Sequence, residues 1–384
     1  MSGVRAGDGR LALLAAGGTG GHLFPAQALA EELGQRGWHV HLATDARGGR
    51  FRDSFPAEAV HVLPAATVGA RSPLALAKTA WTLMAGFFAA WSLIGRIKPS
   101  VAVGFGGYPT VPPILAAWAR RVETCVHEQN AIMGRANRLL KRFVTAIAVG
   151  FPDTALVSRR DRWKVTHTGV PVRAAVVAAA ARRYDKPDAR GEFRLLVFGG
   201  SQGARVFADV VPEAVAGLSE EARGRLEMVQ QARPEDMERV SQAYDGLGVK
   251  AEVAPFFADL PARIAAAHLV ISRSGASTAT ELTVIGRPAI LVPLPGAIDN
   301  DQLMNATALE HREAAWLMPQ SAFTPEFLAQ ELERLMGNPE QLWHVAAAAR
   351  ALGRPDAVAR LADLVDALAK GRRAMAAPQE ETSS

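Results

Sequence analysis

The residues best placed to do chemistry sit in one turn, Gly17-Gly18-Thr19-Gly20-Gly21-His22. An apolar run, Leu11 to Ala16, precedes it, and a helical pattern, Pro25 to Arg36, follows. A short apolar run bounded by glycines predicts a buried strand. Pro25 suits the first turn of a helix, where its missing N–H leaves nothing unsatisfied. Glycines let backbone approach a ligand closely, and the N–H groups at a helix start favour an anion. His22 adds an imidazole that titrates near neutral pH and can carry a proton. Two common nucleotide motifs do not fit. A P-loop needs Lys then Ser or Thr after its last glycine, where this turn has His22. The Gly-x-Gly-x-x-Gly fingerprint, begun at Gly18, ends on Leu23.

A second turn of the same kind follows nearly half the chain later. Phe193 to Phe198 runs into Gly199-Gly200-Ser201-Gln202-Gly203 and then a helical stretch, Ala204 to Leu218. Strand, glycine-rich turn and helix occurring twice predict two α/β domains, with ligands held in a cleft between them. Other polar groups stand at strand ends. Glu123 to Glu128 predicts a strand that exits into Gln129 and Asn130, and open α/β sheets bind ligands at such carboxyl ends. Ser274-Gly275-Ala276-Ser277 precedes a helix over Ala276 to Ile285, so its N–H groups can receive a diphosphate. Glu281 can accept both hydroxyls of a ribose, and Arg173 offers a fork to phosphate oxygens. Gln302 and Asn305 share one face of a helix.

The elements that must position these groups follow from periodicity. Trp38–Ala43, Val60–Leu63, Val101–Phe105 and Thr145–Val149 predict further strands of the first half, with a helix over Pro112–Arg120. Leu226–Gln230, Val249–Val253, Leu269–Ser272 and Ala289–Val292 predict those of the second, alternating with helices as in a parallel sheet. Pro171 to Arg190, rich in Ala, Arg and Pro, reads as a linker. Thr324 then Pro325 is a helix start running to Met336, and Pro339–Leu352 and Pro355–Lys370 follow as helices. The domains expected are residues 1–170 and 171–352, a helix at 353–370 packing back on the first, and a disordered tail at 371–384.

Composition narrows the class. A chain of 384 residues that is 49% hydrophobic can build two cores. One cysteine, Cys125, excludes a disulfide framework and a multi-cysteine metal site. A net charge of +5 permits an anionic partner. Met1 to Arg10 carries no signal-peptide apolar run, which predicts a cytosolic protein. Leu74 to Ile97 holds Trp81, Phe87, Phe88 and Trp91, with Arg71, Lys78, Arg96 and Lys98 around them. It reads either as a buried helix or as an apolar patch with a basic rim that rests on an anionic membrane.

Taken in order, Gly17–His22, Gly104–Pro109, His127–Asn130, Gly169–Arg173, Gly199–Arg205, Arg273–Glu281 and Gln302–Ala306 resemble the N-acetylglucosaminyltransferases of peptidoglycan synthesis. That family moves GlcNAc from UDP to undecaprenyl-pyrophosphoryl-MurNAc-pentapeptide. The resemblance implies a GT-B fold, two Rossmann-like domains facing across a cleft, with an inverting mechanism and neither metal nor cofactor. It implies UDP-GlcNAc, the lipid-linked MurNAc-pentapeptide and an anionic membrane surface as partners, and no nucleic acid. It places the protein peripherally on the cytoplasmic face of the inner membrane. Thr19, Gly20 and Gly21 match the family's first glycine loop, and Asn130, Arg173 and Ser201 match binding residues. Phe257 stands where the family's main chain reads uracil. Ala276, Ser277, Thr278, Ala279, Thr280 and Glu281 match the loop and helix start that hold the nucleotide. Gln302 and Asn305 match contacts to the donor sugar. The sequence departs from the family in three places: Val170 where an Asn is frequent, the hydroxyl-rich Ser277–Thr280, and Asp301 before Gln302.

In the implied reaction the acceptor's C4 hydroxyl attacks C1 of GlcNAc and UDP leaves. His22 is the first candidate base and Glu128 the second. An alternative enzyme is a UDP-GlcNAc 2-epimerase, which needs no lipid acceptor. An alternative of another class is a non-catalytic nucleotide-sugar or membrane-surface binder, which needs no base.

Overall fold

The computed structural model describes residues 10–18, 20–66, 72–188, 190–200 and 203–371. Thr19, Arg71, Ser201 and the tail beyond residue 371, all named above, lie outside the described residues. The chain divides into two units: Met1–Arg173 with Asp356–Ser384, and Ala174–Pro355.

Unit one runs β1 (Leu11–Ala15), α1 (Gly20–Gln35), β2 (His39–Thr44), β3 (Ala59–Val62), α2 (Pro73–Ile97), β4 (Val101–Gly104), α3 (Val111–Ala119), β5 (Glu123–Glu128), α4 (Arg135–Leu140), β6 (Ala146–Val149) and β7 (Val165–His167). Its seven strands are parallel, in the order β3-β2-β1-β4-β5-β6-β7. The strands are short apolar runs without alternation, as expected where helices cover both faces of a sheet. Ala12, Leu14, Val40, Leu42, Val101 and Val103 pack against Leu29 and Leu33 of α1 on one face. Leu13, Ala15, Ala102 and Val126 pack on the other with Ala90, Ile94 and Ile114.

Unit two runs α5 (Ala174–Ala179), β8 (Phe193–Phe198), α6 (Arg205–Ala216), α7 (Glu220–Gly224), β9 (Leu226–Gln231), α8 (Met237–Gly246), β10 (Lys250–Ala254), α9 (Leu260–Ala266), β11 (Leu269–Ser272), α10 (Ala276–Ile285), β12 (Ala289–Leu291), α11 (Asp301–Glu310), β13 (Trp316–Leu317), α12 (Pro325–Met336) and α13 (Pro339–Leu352). Its six parallel strands take the order β10-β9-β8-β11-β12-β13. This repeats the order of unit one, each sheet starting from its glycine-turn strand and reversing direction beside it. The two sheets are Rossmann-like, and the chain has the α/β GT-B fold class.

The last helix, α14 (Ala357–Ala369), belongs to unit one. Leu361, Ala362, Leu364, Val365 and Leu368 complete the core that α1 covers. Arg36 donates to Asp363 and Asp366 across that contact, and the Trp38 indole donates to Asp366.

Three sequence expectations change. α1 begins at Gly20, so Pro25 lies inside the helix and not in its first turn. Gly20, Gly21 and His22 form the first turn instead, which puts the unbonded N–H groups on the glycines. The stretch 171–190 contains a helix, α5, whose Val176 is fully buried. Phe87 and Phe88 separate: Phe88 is 62% exposed, whereas Phe87 packs against the core between the sheet and α3.

Candidate functional site

In unit one the turn after β1, the loop after β4 and the exit of β5 lie side by side, because β1, β4 and β5 are neighbours in the sheet. The order reverses between β1 and β4, and such a switch point opens a crevice at the strand ends. His22 sits there. Gly106 and Gly107 have φ of 86° and 76°, and a Cβ on either would stand 3.3 Å from the imidazole ring. Only glycine lets this loop pass the ring in that conformation. The β1 turn is pinned from its other side. A Cβ on Gly18 would stand 2.3 Å from the Gly48 nitrogen. Asp45, buried beneath, accepts the N–H of Gly48 (2.9 Å), the Arg47 Nε–H (2.9 Å) and the Gly18 N–H. Burial would push the Asp45 carboxyl up, but these donors hold it below the usual range. A cavity of about 240 Å³ lined by Asp45, Ala46, Arg47, Ala65, Ala66 and Pro109 adjoins the turn.

The exit of β5 is built on one buried carboxylate. Glu128 is 2% exposed. Its Oε1 accepts the backbone N–H of Asn130 (3.0 Å) and Asn130 Nδ2 (3.2 Å). Its Oε2 accepts Gly134 N–H (2.9 Å) and Asn137 Nδ2 (2.8 Å). Burial raises the Glu128 carboxyl above its usual range, against these donors. Both oxygens are engaged inside the fold, an arrangement that orients Asn130 and leaves no lone pair aimed at solvent for taking a proton. Gln129 reaches Phe105 O (3.0 Å), tying this exit to the β4 loop. It also donates to His127 Nδ1 (3.1 Å), so the buried His127 carries its proton on Nε2 and gives it to Gly169 O (2.9 Å). Burial draws His127 down to about 4, keeping the imidazole neutral. Arg173 stands over the ring of Phe24, one turn into α1, at 5.1 Å.

In unit two Gln231 organises the glycine turn. Its Oε1 accepts Gly199 N–H (2.9 Å), and its Nε2 donates to Gly200 O (3.0 Å) and Pro255 O (3.1 Å). The Pro255 contact fixes the loop carrying Phe256, 67% exposed, and Phe257, buried under the Arg263 guanidinium at 4.3 Å. The β11 exit leads into α10 through Gly275, which gives the helix no side-chain cap. The first-turn N–H groups are therefore left to a ligand or to water. Ala276, Ser277 and Thr278 are partly exposed there, and Ala279, Thr280 and Glu281 are buried. The Thr280 hydroxyl donates back to Ala276 O (2.8 Å). Gln302 is partly exposed, its Oε1 accepting Leu294 N–H (3.0 Å). Asn305 is fully buried, its Nδ2 on Ser274 O (3.0 Å), so it holds the loop before α10 from behind and does not line an open surface. Ser274 Oγ donates to Gln302 O (2.8 Å), closing the same knot.

Sequence reasoning missed Asp45, Asn137 and Gln231. Each holds backbone of a distant loop, and no local spacing signals that. Among the described residues no three His, Cys, Asp or Glu side chains converge to hold a metal ion.

Residues 12–149 match the glycosyltransferase family 28 N-terminal domain, and residues 194–361 match the family's C-terminal domain. The chain belongs to glycosyltransferase family 28. It is similar to the UDP-N-acetylglucosamine–N-acetylmuramyl-(pentapeptide) pyrophosphoryl-undecaprenol N-acetylglucosamine transferase of Chelativorans sp. strain BNC1. The two are 57% identical over 366 residues, 94% of this chain and 96% of that one. Among solved structures, MurG of Acinetobacter baumannii is similar with a TM-score of 0.77 at 28% identity, covering 93% of this chain and 99% of that one. A UDP-GlcNAc 2-epimerase from Neisseria meningitidis has a TM-score of 0.66 at 13% identity, covering 94% of this chain and all of that one. That likeness shows the fold alone. The family 28 assignment spans both units and both glycine turns.

Proposed function

We propose that this glycosyltransferase moves GlcNAc from UDP-GlcNAc to the C4 hydroxyl of undecaprenyl-pyrophosphoryl-MurNAc-pentapeptide. The observation that carries the reading is the 57% identity to a transferase of that name over 94% of the chain. Unit two takes the donor. The diphosphate meets the uncapped N–H groups and the positive dipole end of α10, Glu281 accepts from the ribose, Phe257 presents main chain to the uracil and Gln302 meets the sugar. Unit one takes the acceptor at Gly20, Gly21, His22 and Asn130, with Arg173 beside α1. The hydroxyl oxygen bonds to C1 as the bond from C1 to the phosphate oxygen breaks. UDP leaves with that electron pair and the anomeric centre inverts. His22 takes the hydroxyl proton, and Glu128 orients Asn130.

The acceptor's lipid tail requires a membrane approach, which we assign to α2. Trp81 is 71% exposed, Met84 52%, Phe88 62% and Trp91 36%. Helical spacing puts them on one face, and Lys78, Arg96 and Lys98 are exposed on the same helix and just after it. Residues 77–97 are long and apolar enough to cross a membrane, with a mean hydropathy of 1.3. The packing of Ala90, Leu93 and Ile94 into the unit supports a helix that rests on a membrane surface and does not cross it.

Incubation with UDP-GlcNAc, with and without the lipid-linked acceptor, tests the reading. UDP released only with acceptor, undiminished by EDTA, is the expected result. Formation of an epimer without acceptor, or no turnover under either condition, overturns it.

A further inference from the structure

The largest fully buried side chain among the described residues is a cation, Arg287, 1% exposed. Its hydrogen bonds given by the structure go to backbone carbonyls, and the Tyr184 ring lies 5.5 Å from the guanidinium. Nε donates to Ala265 O (3.1 Å), Nη1 to Ile285 O and Gly286 O (both 2.9 Å), and Nη2 to Arg182 O (3.0 Å), Arg183 O (3.2 Å) and Ala265 O. These carbonyls end α9, end α10 and belong to the connector after α5, so two helix C-termini and one connector converge on one guanidinium. Each such end is partially negative. A planar fork of five fixed donors can serve them together, which an ammonium cannot. Burial draws the group down to about 10, still protonated at neutral pH.

The cage is not needed to finish α10 as a helix. Gly286, in the left-handed conformation with φ of 71°, already donates to Leu282 O (2.8 Å), and Arg287 N–H donates to the same oxygen (3.0 Å). What the guanidinium adds is a tie from α10 to α9 and to the 182–183 connector. Arg350 of α13 reinforces that tie through Ala180 O (2.9 Å) and Ile285 O (3.5 Å). The α13 exit lies directly on the last turn of α10: a Cβ on Gly353 would stand 2.5 Å from Thr283 O. At the amino end Asn305 and Ser274 hold the entry loop. A ten-residue helix of about 15 Å is thus clamped at both ends.

We propose that Arg287 is a positioning residue for the donor: by fixing the carboxyl end of α10, it sets where the uncapped N–H groups at the amino end stand. This rests on the donor's diphosphate lying at α10. A displaced helix start misplaces every N–H that meets the diphosphate at once, and small displacements of positioned groups carry large rate penalties.

The test compares full-length wild type, R287K, R287Q and E281A. It reads UDP affinity by calorimetry, KM for donor and acceptor separately, and hydrogen exchange of residues 276–280. R287K, which keeps the charge and loses the fork, is expected to weaken UDP binding and raise the donor KM by about tenfold. The acceptor KM stays within about twofold, and exchange accelerates at residues 276–280. R287Q exceeds it in the same direction. A folded R287K with a lowered melting temperature but wild-type UDP affinity and donor KM makes Arg287 merely structural and overturns the proposal. Should R287Q fail to fold, R287K decides. Unchanged UDP affinity in E281A instead removes the donor from α10. Weakened affinity in E281A with wild-type R287K removes only the role of Arg287.

Discussion

The two units share a strand order and a glycine-rich turn after their first strand, yet their sites are organised around buried ions of opposite sign. In unit one Glu128 gathers N–H donors from Asn130, Gly134 and Asn137 around a carboxylate. In unit two Arg287 gathers carbonyl oxygens from two helix ends and the connector after α5 around a guanidinium. The carboxylate shapes a loop, and the guanidinium sets the position of a helix. The glycine turns alone would not make either site, since glycine permits close approach without specifying it. What specifies it is a buried group whose every bonding direction is filled by backbone or amide.

The comparison breaks most sharply at His22. If unit one supplies the base, His22→Ala should lower kcat by roughly 10²–10⁴-fold while UDP affinity, a property of unit two, stays at the wild-type value. A loss of UDP affinity of similar size, measured by calorimetry, would merge the two sites into one. Next in size is the acid limb of stability. Each unit holds a buried imidazole drawn down to about 4, His127 in one and His268 in the other. An unfolded histidine binds a proton near pH 6.5 and these do not, so stability is full above that pH and falls as pH drops toward 4. The loss is about 3 kcal/mol for the fully buried His127 ring; His268 is depressed by burial and then by the Arg194 charge. His127→Gln should make the limb shallower for the transition that reports unit one, where His61 is also drawn down to about 4, and leave the other untouched. Chemical denaturation from pH 7.5 to 4.5 reads this directly.

Smaller again is Glu281→Ala, expected to weaken UDP binding by about 1.5–3 kcal/mol; acceptor KM measured alongside should not move. The smallest effect belongs to the α2 face. Trp81→Ser with Phe88→Ser should reduce sedimentation with anionic vesicles, and Lys78→Glu should subtract roughly 1 kcal/mol more. Phe87→Ser is the contrasting control. Because that ring packs on the core, its loss should appear as a lower melting temperature and not as weaker vesicle binding alone.

Much of this arrangement was legible in the sequence. β5, β8, β11, α10, α12 and α13 fall on the residues that periodicity and capping predict, and Thr324 caps α12 through its hydroxyl as its position before Pro325 implies. Those elements carry strong local signals: apolar runs between glycines, or a hydroxyl followed by proline. α4, β7 and β13 were not legible. α4 is six residues, half of them polar or basic, and β13 is two residues long, below any periodicity. The start of α1 was misplaced because Pro25 mimics a first-turn proline when two glycines precede it. At the sites, Glu128 was visible as a polar residue at a strand end, but its engagement by Gly134 and Asn137 depends on where α4 docks. Arg287, between Gly286 and Pro288, reads as an ordinary turn cation. Only tertiary packing reveals that it is sealed from solvent.

The return of α14 to unit one ties that unit's completion to the order of synthesis. Its five apolar side chains leave the ribosome only after all of Ala174–Pro355. At elongation rates of about 5–20 residues per second, that interval is roughly 10–40 s. Through it, the sheet face made by Leu14, Val40, Leu42 and Val103 is covered by α1 but lacks α14. The nascent first unit therefore waits half-closed while the second is made. A chain cut short anywhere in unit two yields a first unit whose sheet face lacks α14, the kind of exposed apolar surface that makes partly folded chains prone to aggregate.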